Sequence, residues 1–280
     1  MLILFEKFRD SAIKCHGWRR GLLAFVLGAI SIIGLPPFYF VPILIPTFVG
    51  LIWLIDGSIN LKSESFKFAL NHRIFDGPFA IGWWYGLGFF MSGLYWVGYS
   101  FVIGAPHLVW LIPLVILGLS AILAIYVGFV TALSYKFSPS GYRRVIYFVA
   151  LWVIFEWLRG LFFTGFPWNF IGTAWNFSES IIQLASVFGV LGLSFITVLA
   201  ASSLALLGYR DMSQHLKFLI AGTPLLIIVI VFFYGNWRLA DGETQFVNSV
   251  RLRLIQPNIM QVDKWKPRLS GKHLNNLLEL

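Results

Sequence analysis

Two opposite charges lie near the end of an apolar segment, where charged side chains are costly. The stretch EWLRGLFFTGFPW begins at Glu156 and ends at Trp168. Glu156 and Arg159 are three positions apart and therefore share one face of a helix. A single charge at the centre of a bilayer costs roughly 2.5 to 3.5 kcal/mol, so we predict that both side chains face inward, near a membrane interface. Gly165 and Pro167 are expected to break the helix before Trp168.

The pair Glu156 and Arg159 has two interpretations. The first is a structural ion pair that fixes the rotation of the helix. The second is a contact with a lipid head group, or a supporting role beneath an active site. The residue types and their spacing agree with either interpretation.

The composition predicts a polytopic membrane protein. Apolar residues make up 58% of the chain and charged residues 12%, and several apolar runs are long enough to cross a bilayer. The net charge of +9 is spread over short loops, so nucleic acid is not an expected partner. The single cysteine, Cys15, excludes an internal disulfide. The five histidines are scattered, so no metal or other cofactor is expected.

The apolar runs predict seven transmembrane helices. A polar segment over 56–78 separates the second from the third, and interfacial aromatic residues flank the third. The predicted spans cover residues 22–35, 38–55, 79–103, 108–135, 144–163 and 181–207, with a seventh ending near Tyr234.

The basic residues predict an orientation. With seven spans, thirteen Lys and Arg residues fall on the side of the amino terminus and none in the opposite loops between spans. Positive charge is enriched on the cytoplasmic side of membrane proteins, so we predict a cytoplasmic amino terminus and a periplasmic segment after residue 235.

The carboxy-terminal residues differ in pattern from the rest. Residues 250–255 alternate apolar and basic side chains, which predicts a strand, and helical spacing begins near Arg268. We therefore expect a membrane domain over 1–235, a linker over 236–249 and, over 250–280, the incomplete start of an α/β domain whose remainder is missing. One strand and one helix are too few to bury their own apolar faces.

Three motifs carry a resemblance to a known family. The block EWLRGx3TGFPW at 156–168, QPNI at 256–259 and KW at 264–265 resemble bacterial apolipoprotein N-acyltransferase. The resemblance implies a bundle in the bacterial inner membrane that carries a periplasmic nitrilase-like domain. It implies transfer of an acyl chain from a phospholipid to the amino-terminal diacylglyceryl-cysteine of an apolipoprotein. Membrane phospholipid and the apolipoprotein are thus the implied partners.

The resemblance also implies roles for particular residues. A family tryptophan near the acyl donor matches Trp265, whose alternative role is to cover a domain core. Glu156, Arg159 and Trp168 are expected to contact substrate. The resemblance implies that the family's catalytic glutamate, lysine and cysteine lie beyond residue 280, since relatives carry them after the QPNI element. Cys15 is not expected to replace the cysteine, because it lies on the other side of the predicted membrane. The chain is therefore expected to be inactive alone.

A second hypothesis belongs to a different class of protein. The chain could be a non-enzymatic polytopic membrane protein, such as a lipid-binding or transport module with a short outer extension. The spans show no visible internal repeat, which disfavours a transporter. DNA downstream of codon 280 that encodes further strands with a glutamate, a lysine and a cysteine would favour the acyltransferase.

Overall fold

The fold is known from a computed structural model, which describes residues 2–58, 75–138, 140–162, 165–240 and 248–280. Thr164 of the motif lies outside these ranges, as do residues 241–247, half of the predicted linker. Lys62, Lys67 and Arg73, which were counted toward the orientation, also lie outside them.

The described residues form α-helices joined by turns and short 3-10 helices. The α-helices are α1 Leu2–Lys14, α2 Trp18–Ser31, α3 Leu44–Asp56, α4 Pro78–Gly93, α5 Tyr99–Gly104, α6 Ile112–Phe137, α7 Tyr142–Leu161, α8 Glu179–Ile182, α9 Ala185–Ser203, α10 Gln214–Ala240 and α11 Ser270–Glu279. The 3-10 helices are Ile32–Gly34, Val41–Ile43, Tyr95–Gly98, Pro106–Leu111, Ile171–Trp175, Leu204–Gly208 and Pro267–Leu269. Helix α9 is interrupted at Gly189, where φ is +63°.

Helix α4 packs between α2 and α6 through glycines that let the backbones approach closely. A Cβ atom on Gly28 of α2 would lie 1.9 Å from the carbonyl oxygen of Tyr85. A Cβ atom on Gly82 would lie 2.0 Å from Oγ1 of Thr131 on α6. Glycine at these positions therefore permits the close packing of α4 against both neighbouring helices.

Helix α3 lies in the core of the bundle. Most of its side chains are buried, and Phe48 contacts the ring of Trp152 on α7 at 4.9 Å and that of Tyr85 on α4 at 6.1 Å. The indole of Trp53 donates a hydrogen bond to the carbonyl of Ala205 (3.0 Å). Helices that are distant in sequence thereby meet around α3.

The prediction of seven membrane-spanning helices is wrong. Within the described ranges, three helices are long and apolar enough to cross a membrane: Pro106–Phe137, Ala185–Gly208 and Gln214–Ala240. Pro78–Gly93 and Tyr95–Gly104 form a fourth candidate if they are taken together, but they are bent by 53° at the break between them.

The missing spans fail for different physical reasons. Helix α2 has 14 residues and α3 has 13, whereas a crossing helix needs about 20. Helix α3 is apolar because protein surrounds it. Helix α7 has 20 residues, but it carries Arg143, Arg144, Glu156 and Arg159, so its composition is not that of a simple span.

The predicted start of an α/β domain is also wrong. Residues 250–255 form no strand, and no strand occurs elsewhere in the described part of the chain. Leu252 and Leu254 are 86% and 97% exposed, so the alternating pattern finds no neighbouring strand to pair with. The helix expected from Arg268 onward is α11, and none of its residues is buried.

Trypsin is expected to cleave the carboxy-terminal segment before it cleaves the packed core of the bundle. Arg251, Arg253 and Lys264 are exposed in a segment without buried residues, whereas Arg20 and Arg144 are fully buried. Mass spectrometry of the purified protein in nanodiscs, after timed digestion, should detect fragments that end at Arg251, Arg253 or Lys264. Survival of a fragment that contains Lys264 for as long as the bundle survives would contradict this expectation.

Candidate functional site

Glu156 connects α7 to the chain segment that follows it. Its Oε1 atom accepts hydrogen bonds from the indole of Trp152 (3.1 Å) and from the backbone N–H of Ile171 (2.9 Å). Ile171 is the first residue of the 3-10 helix Ile171–Trp175, whose first N–H groups have no partner within the helix. The 5% exposed carboxylate therefore satisfies a buried helix terminus.

Arg159 holds the turn between α7 and that 3-10 helix. Its Nη1 atom donates hydrogen bonds to the carbonyl oxygens of Phe166 (3.1 Å) and Trp168. The guanidinium lies over the rings of Phe90 and Phe170, 5.1 and 4.9 Å from their centroids. A cation over an aromatic face is stabilised electrostatically, so both rings help to hold the charge inside the protein.

Glu156 and Arg159 make no direct ion pair among the contacts of the described residues. Each side chain binds backbone groups of the segment 166–171 instead. The two charges therefore act together to fix the path of that segment. Whether they also contact substrate remains a prediction.

A turn at Gly165 lets the chain reverse directly after α7. Its φ is +82°, and a Cβ atom there would lie 2.4 Å from the carbonyl oxygen of Gly160. Only glycine fits both conditions without strain. The backbone N–H of Phe166 then donates to the carbonyl of Arg159 (2.8 Å). Arg159 therefore stabilises the turn with both its backbone and its side chain.

Trp168 borders an open cavity of about 410 Å³, here called the Trp168 cavity. The ring of Trp168 is 52% exposed and meets Trp96 edge to face at 5.3 Å. The wall combines aromatic rings with uncharged polar groups, including Ser92, Asn169 and Thr173. This volume and lining suit a small-molecule or lipid site more than a site for an ion.

A much smaller cavity lies beside the two charged side chains. It has a volume of about 20 Å³ and is lined by Phe90, Trp152, Glu156 and Arg159, among others. This volume accommodates about one water molecule. Oε2 of Glu156 is buried and has no partner in the described part of the chain, so it is the polar atom that such a water would satisfy.

Trp265 is not part of this site. It is 80% exposed, and its described contact is with the ammonium of Lys264, 5.7 Å from the ring centroid. The Lys266 ammonium donates to the nearby Asp263 carboxylate (2.7 Å) and lowers the pKa of that carboxyl group. The structure therefore brings Glu156, Arg159 and Trp168 together and leaves Trp265 apart.

A second buried charge cluster was missed by the sequence analysis. The Asp56 carboxylate accepts hydrogen bonds from Arg144, from the hydroxyl of Tyr209 and from Arg9 (3.4 Å). The guanidinium of Arg9 also lies 4.2 Å from the ring centroid of Tyr209. In the sequence, this cluster was indicated only by an acidic residue, Asp56, at the end of an apolar run. Its partners come from distant segments, so local spacing could not identify them.

The two charge clusters lie at opposite ends of the bundle. Arg20 makes an ion pair with Asp76 (3.6 Å) and lies beside Gly57, so it belongs to the end that holds Asp56 and Arg144. We call this the basic end. Helix α7 runs from Arg144 to Arg159, and thus from the basic end to the Trp168 cavity.

Cys15 belongs to the basic end. Its carbonyl oxygen accepts a hydrogen bond from Nε of Arg20 (2.6 Å). Its thiol is therefore separated from Trp168 by most of the length of the bundle, too far to react with a group in the Trp168 cavity.

Comparison with known proteins identifies similar chains. Residues 27–203 match the family model for the apolipoprotein N-acyltransferase N-terminal domain. Proteins named apolipoprotein N-acyltransferase are 34% identical in Rhodopseudomonas palustris over 92% of this chain and 36% identical in Bradyrhizobium diazoefficiens over 99% of it. These matches cover 46% and 50% of the two relatives. The chain thus spans about half the length of the curated relatives it matches.

Proposed function

This chain belongs to the apolipoprotein N-acyltransferase family, and we propose that it forms the membrane-embedded part of such an enzyme. The proposed reaction moves an acyl chain from a phospholipid to the α-amino group of an apolipoprotein's amino-terminal diacylglyceryl-cysteine. The observation that carries the proposal is the family match over 27–203, which includes the motif block and every residue that lines the Trp168 cavity.

The proposed chemistry proceeds in two acyl transfers. A thiolate attacks the ester carbonyl of the phospholipid, the lysophospholipid leaves, and a thioester forms. The free α-amine of the apolipoprotein's diacylglyceryl-cysteine then attacks the thioester and forms an amide. The nitrogen loses a proton, and the catalytic thiol is released. Cys15 is not this thiol in our proposal, because it lies at the basic end. The chain alone is therefore proposed to bind lipid without completing the transfer.

The described residues are proposed to bind and position lipid. The Trp168 cavity has the volume and the mixed lining to accept the glycerol ester region of a phospholipid beside exposed apolar surface. Glu156 and Arg159 act here as positioning residues, since they hold the segment that carries Trp168. Trp and Tyr are enriched at membrane–water interfaces, so the aromatic lining suits a cavity at the level of the lipid head groups.

We propose that the basic end faces the cytoplasm and the Trp168 cavity faces the outer side of the bacterial inner membrane. Lys7, Lys14, Arg19 and Arg210 are exposed at or beside the basic end. Basic residues near spans favour the cytoplasmic side. A cavity on the opposite side would meet lipoproteins after their export.

A hybrid protein tests the proposed function. All 280 residues of this chain would be followed by the part of the Rhodopseudomonas palustris relative that the match leaves uncovered. The hybrid is reconstituted with a phospholipid carrying a labelled acyl chain and with a synthetic diacylglyceryl-cysteine peptide. Mass spectrometry should detect the labelled amide for the hybrid and none for the appended part alone. A folded hybrid that binds the phospholipid without forming amide would instead support a lipid-binding module.

Replacement of Trp265 by alanine should separate binding from folding. Because Trp265 is exposed, the free energy of unfolding should change by less than about 0.5 kcal/mol. If its ring covers the acyl donor, the lost apolar contact should lower the transfer rate of the hybrid roughly tenfold or more. Trp110→Ala is the control, since Trp110 is 71% exposed and does not line the Trp168 cavity. Equal activity losses in the two variants would contradict a role for Trp265.

A further inference from the structure

Helix α1 is attached to the bundle along one side. Phe5 meets the ring of Trp53 at 6.2 Å, and Arg9 pairs with Asp56 at 3.4 Å. With 13 residues the helix is about 20 Å long, so it is too short to cross a bilayer. It therefore lies against the basic end and leaves its other side uncovered.

The acidic residues of α1 make ion pairs with basic residues of the bundle. Glu6 pairs with Arg210 (3.5 Å) and lies 3.9 Å from the ammonium of Lys217. Asp10 pairs with the same Arg210 at 2.8 Å. The negative charges of the helix are thus compensated by partners within the bundle.

The uncovered side combines apolar and basic residues only, apart from one serine. Ile3, Leu4 and Phe8 are 70%, 55% and 58% exposed. Lys7 and Lys14 are exposed on the same arc of the helix, and neither makes an ion pair among the described residues. Water alone does not favour so many exposed apolar side chains on one short helix.

We propose that this side of α1 is a docking surface for the anionic phospholipid head groups of the surrounding membrane. Its positive charges complement lipid phosphates, while its apolar side chains can enter the boundary between head groups and acyl chains. The exposed Trp18 and Arg19 continue the same combination at the start of α2. The inference requires a membrane-embedded chain and is independent of acyl transfer.

Spin labels can test the position of α1 in the full chain. A Cys15→Ser background allows a nitroxide to be placed by Leu4→Cys, with Val262→Cys in the exposed carboxy-terminal segment as a reference for water. Nanodiscs are prepared from phosphatidylcholine alone or with added phosphatidylglycerol. Collisions with oxygen report lipid exposure, and collisions with a water-soluble nickel chelate report water exposure.

The label at position 4 should be immersed in lipid, and phosphatidylglycerol should increase the immersed fraction. Charge reversal by Lys7→Glu with Lys14→Glu should lower the ratio of immersed to free label on the order of tenfold in the anionic discs. The matched control, Arg251→Glu with Arg253→Glu, should leave that ratio unchanged.

Two results would overturn the inference. Access of nickel at position 4 equal to that at position 262 in both lipids would show that the surface faces water or a soluble partner. Equal immersion in neutral and anionic discs, unaffected by Lys7→Glu with Lys14→Glu, would show that apolar burial acts alone.

Discussion

Replacement of Asp56 by alanine is expected to destabilise the bundle by about 3 to 5 kcal/mol. Asp56 accepts hydrogen bonds from Arg144, Tyr209 and Arg9, and the Arg144 side chain is fully buried. Without the carboxylate, a buried guanidinium loses its counter-charge and a buried hydroxyl loses its acceptor, and both losses are costly. Unfolding of the purified protein by SDS, followed by circular dichroism, measures the change.

Control variants separate the charge network from general effects of mutation. Asp211→Ala removes an exposed carboxylate and should change stability by less than about 0.5 kcal/mol. The double variant Asp56→Leu with Arg144→Met should recover part of the loss, because the fully buried Arg144 guanidinium is then removed together with its counter-charge, although Arg9 and the Tyr209 hydroxyl still lose their acceptor. Recovery should be incomplete, since Arg144 also donates to the carbonyl of Ser138 at 3.1 and 3.0 Å. An Asp56→Ala variant as stable as Asp211→Ala would contradict the importance of this network.

The membrane spans show where hydropathy is a poor guide. A run of apolar residues predicts burial, but it does not distinguish burial in lipid from burial in protein. Helix α3 is enclosed by neighbouring helices, whereas α10 exposes Leu226, Ile230 and Phe233 along its length. Both segments have the same signature in sequence, and only α10 is long enough to cross a membrane.

The sequence predicted which residues belong to the site, but it did not predict which groups they contact. Spacing placed Glu156 and Arg159 on one helical face, and both are buried there. Their partners are backbone groups at Phe166, Trp168 and Ile171, and periodicity contains no information about which carbonyl or N–H a buried charge will meet. A direct ion pair, one of the two interpretations of the sequence, is not among the described contacts, and each side chain instead anchors the same segment.

Contacts between distant segments explain what else was missed. The Trp168 cavity forms because the end of α4 approaches the turn after α7, so that Trp96 meets Trp168. The Asp56 cluster similarly joins residues separated by 47, 88 and 153 positions. Arg9 and Arg144 had been interpreted as orientation signals, and nothing local distinguishes an exposed basic residue from one that is buried against a carboxylate.

Replacement of Glu156 by alanine is expected to lower the free energy of unfolding by about 1 to 3 kcal/mol for each buried donor that it leaves unpaired, and to abolish transfer by the hybrid enzyme. The indole of Trp152 and the N–H of Ile171 would lose their buried acceptor, and Arg159 would remain as an uncompensated buried cation. Glu156→Gln keeps an acceptor of the same size but removes the charge, so this variant should lose less stability than Glu156→Ala. SDS unfolding gives the stability of each variant, and Glu179→Gln, on an exposed acidic residue, is the control.

The relation between stability and activity decides whether Glu156 and Arg159 only position the segment or also contact substrate. If Glu156 and Arg159 only position the segment 166–171, transfer should fall in proportion to stability, and the fluorescence of Trp168 should shift as its ring leaves Trp96. If Arg159 also contacts a lipid phosphate, Arg159→Lys should weaken phospholipid binding more than its loss of stability explains, because lysine cannot reproduce the bidentate geometry of a guanidinium. Glu156→Gln with native stability and no activity would contradict a purely positioning role, because the carboxylate would then act on substrate directly.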